Sequence, residues 1–146
     1  MKYQIVSERY KDYSGSIKKP EDAYNLLKRF WKASREHFIL ITLDGAHQPI
    51  SISIVSIGLV NKTIVHPREV FIRAIQDMAT AIIIAHNHLS GTLKPSAEDE
   101  EITSMICEAG KLMGIHVLDH LIFSRRGYIS LRQDGNMKSK TEEEGM

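Results

Sequence analysis

The chain has few of the features that would place it in a membrane, in an oxidising compartment or on a polyanion. Among its 146 residues there is one cysteine, Cys107, so no internal disulfide can form, which suits the cytoplasm. No apolar run approaches the roughly 20 residues of a membrane helix, and residues 1–4 lead into a polar stretch rather than a signal peptide. A formal net charge of +1 creates no overall field for nucleic acid or lipid. We therefore expect a cytoplasmic protein without a membrane partner.

The composition is that of an ordinary globular domain, with 42% hydrophobic and 25% charged residues. A chain of this length can bury a sizeable core. From residue 133 onward the sequence is polar, with a lysine-containing stretch followed by glutamates. We predict one domain over residues 1–132 and a disordered tail over residues 133–146.

Hydrophobic periodicity predicts an α+β order of helix, hairpin, helix, strand, helix and hairpin. The helices are expected to begin at Pro20, Pro67 and Ser96, and the strands to lie near 36–43, 50–59, 81–86, 117–123 and 128–131, with a weaker strand at 3–10. The three predicted apolar helix faces are Ala23, Leu26, Leu27, Phe30 and Trp31; Val70, Phe71, Ala74, Ile75 and Met78; and Ile102, Met105, Ile106, Ala109, Leu112 and Met113.

The second strand alternates isoleucine with serine, which indicates one buried face and one polar face. The alternation changes phase at Val55, and this predicts a β-bulge. Asp44-Gly45 and Arg126-Gly127 are the expected hairpin turns, and Gly114 is expected to end the third helix.

The most informative stretch follows the apolar run 81–84. His86 and His88 stand two apart on a predicted strand, so their side chains share a face. Seven residues separate His88 from Ser96, which opens a helix with Asp99 in its first turn. Two imidazoles and a carboxylate on such a frame can hold zinc with a fourth position left for water. Alternatively, the histidines are ordinary strand residues and Asp99 only completes a capping box with Ser96, an imperfect one because aspartate is short.

His86-x-His88, seven residues, Ser96-x-x-Asp99 resembles the signature of the JAMM (JAB1/MPN/Mov34) metalloenzyme domains. Segments 65–71, 86–91 and 118–122 resemble the bacterial RadC branch of that group, and the resemblance covers about residues 19–131. It implies a cytidine-deaminase-like fold, a curved mixed β-sheet with about three packed helices. Leu89 departs from the pattern, since the family usually has proline there. Substrate preference is therefore less transferable than metal binding.

The resemblance also implies roles for individual residues. His86, His88 and Asp99 would bind Zn²⁺, Glu36 would act as general base, and Ser96 would donate a hydrogen bond to the developing oxyanion. Glu36 has a simpler interpretation as a polar residue at a strand edge, and Glu69 is a less favoured rival for the base. Asp119 and His120 also match the family. Because neighbours on a strand point to opposite faces, they cannot both face the same site. We expect one of them to support the fold or the residues around the site, and we assign a catalytic role to neither.

Three functions are compatible with these residues. The first is a zinc-dependent hydrolase, a peptidase or isopeptidase acting on a peptide or protein conjugate. The second is a RadC-type, DNA-repair-associated accessory module with weak DNA association, for which basic residues in 18–35 and 125–132 would supply a local patch. The third is a metal-free interaction scaffold, which the intact histidines and aspartate disfavour. A sheet edge could support a homodimer, although nothing in the sequence requires one.

Overall fold

The computed structural model describes residues 7–9, 15–30, 34–58 and 65–134. Within these ranges the chain forms three α-helices and six β-strands. The strands are β1 (Ser7–Arg9), β2 (His37–Leu43), β3 (Pro49–Ile57), β4 (Ala81–Asn87), β5 (His116–Ser124) and β6 (Gly127–Ser130), and the helices are α1 (Pro20–Leu27), α2 (Pro67–Gln76) and α3 (Ala97–Met113). Trp31, Leu59 and residues 135–146 of the predicted tail lie outside the described residues.

The six strands form a single mixed sheet in the order β1-β3-β2-β4-β5-β6. Only β4 and β5 are parallel, joined by α3, and the other neighbours are antiparallel. This confirms the predicted α+β architecture and its order of elements. In the centre, β2 pairs with β4 so that Phe38 stands opposite His86. No helix in the described part of the chain is both long and apolar enough to cross a membrane.

Helices cover both faces of the sheet. Phe38, Leu40, Ile82 and Ile84 belong to a core that α2 and α3 complete with Val70, Phe71, Ala74, Ile102 and Ile106. The alternate residues Ile39, Ile41, Ile83 and Ala85 belong to a second core with Ala23 and Leu27 of α1. Because side chains alternate along a strand, residue 86 follows Ile82 and Ile84 onto the α3 face.

Strand β3 carries the predicted bulge. Phe38 pairs with Ser56 and Ile39 pairs with Ile54, which leaves Val55 as the extra residue. The expectation of one buried face and one polar face holds only partly, because the serines are buried as well. Ser51, for example, donates to Asp77 at the end of α2 at 2.5 Å, and that carboxylate also accepts from Thr42 at 2.7 Å.

The predicted apolar faces of α2 and α3 are correct in their centres and wrong near their ends. Ile75 and Met78 are 57% and 86% exposed, since α2 stops at Gln76 and only its middle packs on the sheet. At the end of α3, Leu112 is 91% exposed. Gly110 faces inward instead, where an added Cβ would lie 2.5 Å from the Ile115 carbonyl oxygen.

One predicted helix end and two predicted hairpin turns can be compared with the structure. The first hairpin turns at Gly45-Ala46, one residue later than predicted. Gly114 ends α3 in the left-handed region, with φ 70°, as expected. The second hairpin turns at Arg125-Arg126, one residue earlier than predicted, and Gly127 is the first residue of β6.

Candidate metal centre

Strand β4 and the start of α3 bring three potential ligands together. One ligand atom from each of His86, His88 and Asp99 lies within 4.8 Å of the others. The Nε2 atom of His86 is 3.1 Å from Asp99 Oδ1, and the Nε2 atom of His88 is 3.4 Å from Asp99 Oδ2. His86 and Asp99 are buried, whereas His88 is half-buried. This is a His-His-Asp triad that could bind a metal ion.

The other ring nitrogen of each histidine is already engaged. His88 Nδ1 lies 2.8 Å from the Thr92 carbonyl oxygen, which can only accept, so Nδ1 carries the proton. His86 Nδ1 lies 3.3 Å from the ring of His120. Both imidazoles thus turn Nε2 towards the same carboxylate. Metal-binding histidines are typically held in this way, with the second nitrogen donating to a protein group.

The charges of the triad favour a cation. Burial lowers the pKa of His86 to about 4, partly offset by the charge of Asp99, so this ring is neutral at pH 7. Burial would raise the pKa of Asp99, but hydrogen bonding from His88 and the adjacent charges hold it well below its usual range. His86 Nε2 and Asp99 Oδ1 lie 3.1 Å apart, so a positive ion between them would contact a neutral imidazole and a carboxylate at once.

His88 responds in the opposite direction. Its hydrogen bond with Asp99 raises the pKa of His88, against the effect of burial. Asp99 thus favours the protonated form of His88. A metal ion needs a deprotonated nitrogen, so it would compete with a proton for His88 Nε2.

Asp99 also caps α3. Its backbone N–H donates to Ser96 Oγ at 3.1 Å, and the Ser96 backbone N–H donates to Asp99 Oδ2 at 2.7 Å. Both bonds of the capping box are present, so the expectation that aspartate would close it imperfectly is wrong. The two interpretations of Asp99 are compatible, because Oδ2 takes the cap bond while Oδ1 faces His86. Ser96 itself is exposed, and its hydroxyl accepts the cap bond while keeping its own proton.

Glu36 stands directly before β2, beside the triad. The register that pairs Phe38 with His86 places Glu36 opposite His88, two residues beyond the last paired residues. Burial raises the pKa of Glu36, the charge of His88 opposes this, and the charge of Asp99 adds to it. The carboxyl group is thus within electrostatic range of two triad residues. Glu36 also stands at the end of a strand, so the simpler interpretation as a polar strand-edge residue stays open.

Asn87 is a residue whose role sequence reasoning missed. It lies between the two histidines and points to the opposite face, where its side chain binds the segment that carries Glu36. Its Oδ1 accepts from the His37 N–H at 2.6 Å, and its Nδ2 donates to the Arg35 carbonyl at 3.0 Å. The Glu36 carbonyl accepts from Gly58 N–H at 2.8 Å. A buried asparagine within an otherwise apolar strand was the signal, since such an amide needs partners.

Comparison with known families agrees with this arrangement. The family model of the RadC-like JAB domain matches residues 17–136. The chain belongs to this family. Among its relatives are proteins named UPF0758 from Alkaliphilus metalliredigens, 47% identical over 83% of this chain, and from Methanospirillum hungatei, 50% identical over 70%. Another, from Caldanaerobacter subterraneus, is 46% identical over 82%. The matches cover 53%, 45% and 52% of those relatives, so the chain spans about half of their length.

The family match confirms the resemblance seen in the motifs, and the RadC-like segment at 118–122 now has a structural role. His120 points into the α3 face and contacts His86, as described above. Asp119 points to the opposite face, where it accepts from Ser130 Oγ at 2.6 Å and from the Arg132 N–H at 3.2 Å. The two residues thus point to opposite faces of the sheet, as predicted. Burial raises the pKa of Asp119, although the hydrogen bond from Ser130 opposes it.

A cavity of about 240 Å³ opens beside the triad of this RadC-like domain. Its lining residues are Asn87, His88, Leu89, Ser90, Gly91, Phe123, Ser124, Arg125 and Arg126. The Arg126 guanidinium lies against Gly91, 3.9 Å from where a Cβ would stand. Leu89, which replaces the usual proline, is 54% exposed in this wall. The cavity therefore adjoins a candidate ligand, His88, and carries two arginines and no carboxylate.

Proposed function

We propose that this domain is a zinc-dependent hydrolase of amide bonds, of peptidase or isopeptidase type. The observation that carries the proposal is the convergence of two histidine Nε2 atoms and a carboxylate around one point. Two imidazoles and a carboxylate form a donor set that suits zinc. The half-buried His88 borders an open cavity, so a substrate can approach that side.

Each residue then has a defined task. His86, His88 and Asp99 would hold the ion. When bound, zinc supplies Lewis acidity, which lowers the pKa of water to about 7 and polarises a carbonyl group. Glu36 takes a proton from the attacking water and delivers it to the leaving nitrogen, a task for which a raised carboxyl pKa is suited. The Ser96 hydroxyl donates to the developing oxyanion, and one such donor is worth about 3 kcal/mol of barrier.

The cavity beside His88 is the place for the substrate chain. Its walls are the loop after β4 and the hairpin between β5 and β6. Arg125 and Arg126 are exposed there, and no lining side chain is acidic. A peptide or protein conjugate with an acidic group near the cleaved bond fits this wall best. Exchange of both arginines for glutamine should therefore lower cleavage without removing zinc.

The test compares wild-type protein with H88A, E36Q and E69Q after loading with zinc. Elemental analysis measures the metal, and mass spectrometry of a proteome-derived peptide library measures new termini. We expect wild-type and E36Q to hold one zinc per chain and H88A to hold none. Loss of the base should lower cleavage by about 10²- to 10⁴-fold in E36Q.

E69Q is the matched control, because Glu69 was the rival base and belongs to the first turn of α2. It should cleave as wild-type does. Full zinc retention in folded H88A would remove the ligand assignment. Equal cleavage by E36Q and wild-type would remove Glu36 as the base, and absence of cleavage by zinc-loaded wild-type across the library would contradict the hydrolase.

A specific observation also supports the DNA-associated alternative. Lys18, Lys19 and Arg132, from two basic segments, line one cavity of about 320 Å³ on the α1 side of the sheet. Asp119 and Ile83 line the same cavity, so it lies on the face opposite His86. DNA binding there would be steeply salt-dependent and unaffected by H88A. Absence of binding to duplex and single-stranded DNA at low salt would exclude it.

A further inference from the structure

The buried side chains of His86, His120 and Thr103 form a hydrogen-bonded chain. His86 Nδ1 lies 3.3 Å from His120 Nε2, and His120 Nδ1 lies 2.6 Å from Thr103 Oγ1. The Thr103 hydroxyl lies 2.6 Å from the backbone carbonyl of Asp99. All three side chains are at most 1% exposed. The chain begins at one triad residue and ends on the backbone of another, and solvent does not reach it.

Counting protons gives the chain a single direction. A carbonyl can only accept, so the one hydroxyl proton of Thr103 is donated to Asp99. His120 Nδ1 must then carry a proton and donate it to the Thr103 oxygen. Because a neutral imidazole has one N–H, His120 Nε2 is left as an acceptor, and His86 Nδ1 must donate to it. The remaining nitrogen of His86, Nε2, is the one that faces Asp99.

We infer that His120 and Thr103 are positioning residues that fix the proton of His86 on Nδ1 and so keep its Nε2 lone pair free for a cation. Neither residue contacts the proposed ion. The consequence for zinc affinity rests on the proposed function, whereas the position of the proton is a property of the metal-free protein. The orientation of the His86 ring is also fixed, because the ring stacks near Phe38 and contacts His120.

The first experiment measures the His86 tautomer by long-range ¹⁵N–¹H correlation NMR of the metal-free full chain at pH 8. Wild-type protein should show a protonated Nδ1 and an unprotonated Nε2. T103V keeps the shape of the side chain but removes its hydroxyl. His120 then has no reason to hold its proton on Nδ1, and the His86 signals should shift towards the other tautomer. T103S retains the hydroxyl and should restore the wild-type pattern.

The matched control is S130A, which removes another buried 2.6 Å hydrogen bond next to β5, on the opposite face. It should leave the His86 tautomer unchanged. If T103V does not fold, H120Q and H120L give a second comparison. The glutamine carbonyl can still accept from His86 Nδ1, whereas the leucine side chain cannot. A wild-type His86 protonated on Nε2, or an unchanged tautomer in folded T103V and H120L, would overturn the inference.

The second experiment measures zinc affinity by competition with a chromophoric chelator. Loss of a group that orients a ligand typically costs about 10- to 100-fold in metal affinity, and we expect this in T103V and H120L but not in T103S or S130A. Affinities that are equal in all five proteins would contradict the positioning role. If wild-type protein binds no zinc, the proposed function fails, and the NMR comparison still decides where the proton lies.

Discussion

Acid should destabilise the metal-free protein through two buried neutral imidazoles. Burial lowers the pKa of His86 to about 4 and that of His120 to about 3, from an ordinary value of 6.5. At pH 4.5 both histidines are protonated in the unfolded chain, whereas in the folded chain both are mostly unprotonated. Stability therefore falls as pH falls below 6.5. At 1.36 kcal/mol per pH unit, each histidine costs about 2.5 kcal/mol at pH 4.5, and the two together about 5 kcal/mol.

Other groups in the same region act in different pH ranges or in the opposite direction. The raised pKa of His88 adds stability that is complete below 6.5 and is lost as pH rises through the folded value. Asp99, with its lowered pKa, contributes above 3.8 and loses its contribution only in stronger acid. Glu36 and Asp119, with raised pKa values, take up protons in the folded state and offset part of the loss.

Comparing the stability that a variant and wild-type lose between two pH values cancels the contributions of these other groups. Urea unfolding followed by circular dichroism, with a chelator present, gives the free energy of unfolding at pH 7.5 and pH 4.5. H120Q lacks one buried imidazole, so its loss between the two values should be about 2.5 kcal/mol smaller than that of wild-type. G110A should lose as much as wild-type, because the atoms nearest to its added Cβ belong to Ile115, Val117 and Phe71 and to no titrating side chain. Equal pH sensitivity of H120Q and wild-type would refute the reasoning.

Three further predictions concern the site and the core. Zinc at 100 times its dissociation constant should stabilise wild-type by about 2.7 kcal/mol, seen as a higher melting temperature, and an equal rise in H88A would contradict the assignment. N87A should lose more cleavage than zinc affinity, because Asn87 fixes the segment around Glu36; unchanged cleavage by the library assay would exclude that role. G110A should lower the free energy of unfolding by about 1–3 kcal/mol through its contact with the Ile115 carbonyl, and wild-type stability in urea would contradict it.

The parts of the fold that depend on local pattern could be predicted. Strand periodicity placed His86 and His88 on one face, and helix-start chemistry placed Ser96 and Asp99 at the beginning of α3. The bulge at Val55 followed from a change of phase within nine residues. Each of these features is determined by neighbours in the chain, which is why a single sequence was enough.

The parts that depend on distant packing could not be predicted. The buried Ser51 of β3 donates to Asp77 at the end of α2, and no local pattern pairs these two residues. The contact of His120 with His86 requires β5 to lie parallel to β4 in a particular register, which only the crossover through α3 provides. For the same reason the exposed end of α3 was misassigned, since the length over which a helix touches a sheet is a property of the whole domain.

The Asp99 carboxylate has two structural roles, because it caps the start of α3 and completes the triad. An unfolded or partly folded chain in which this turn has not formed would not hold the Asp99 carboxylate beside the histidines, so a metal ion would bind the triad only after α3 has docked. Replacement by asparagine would separate the two duties: the amide oxygen could still receive the Ser96 N–H, while the negative charge would be gone. A related chain with asparagine at this position could therefore lack metal binding and still keep the same fold.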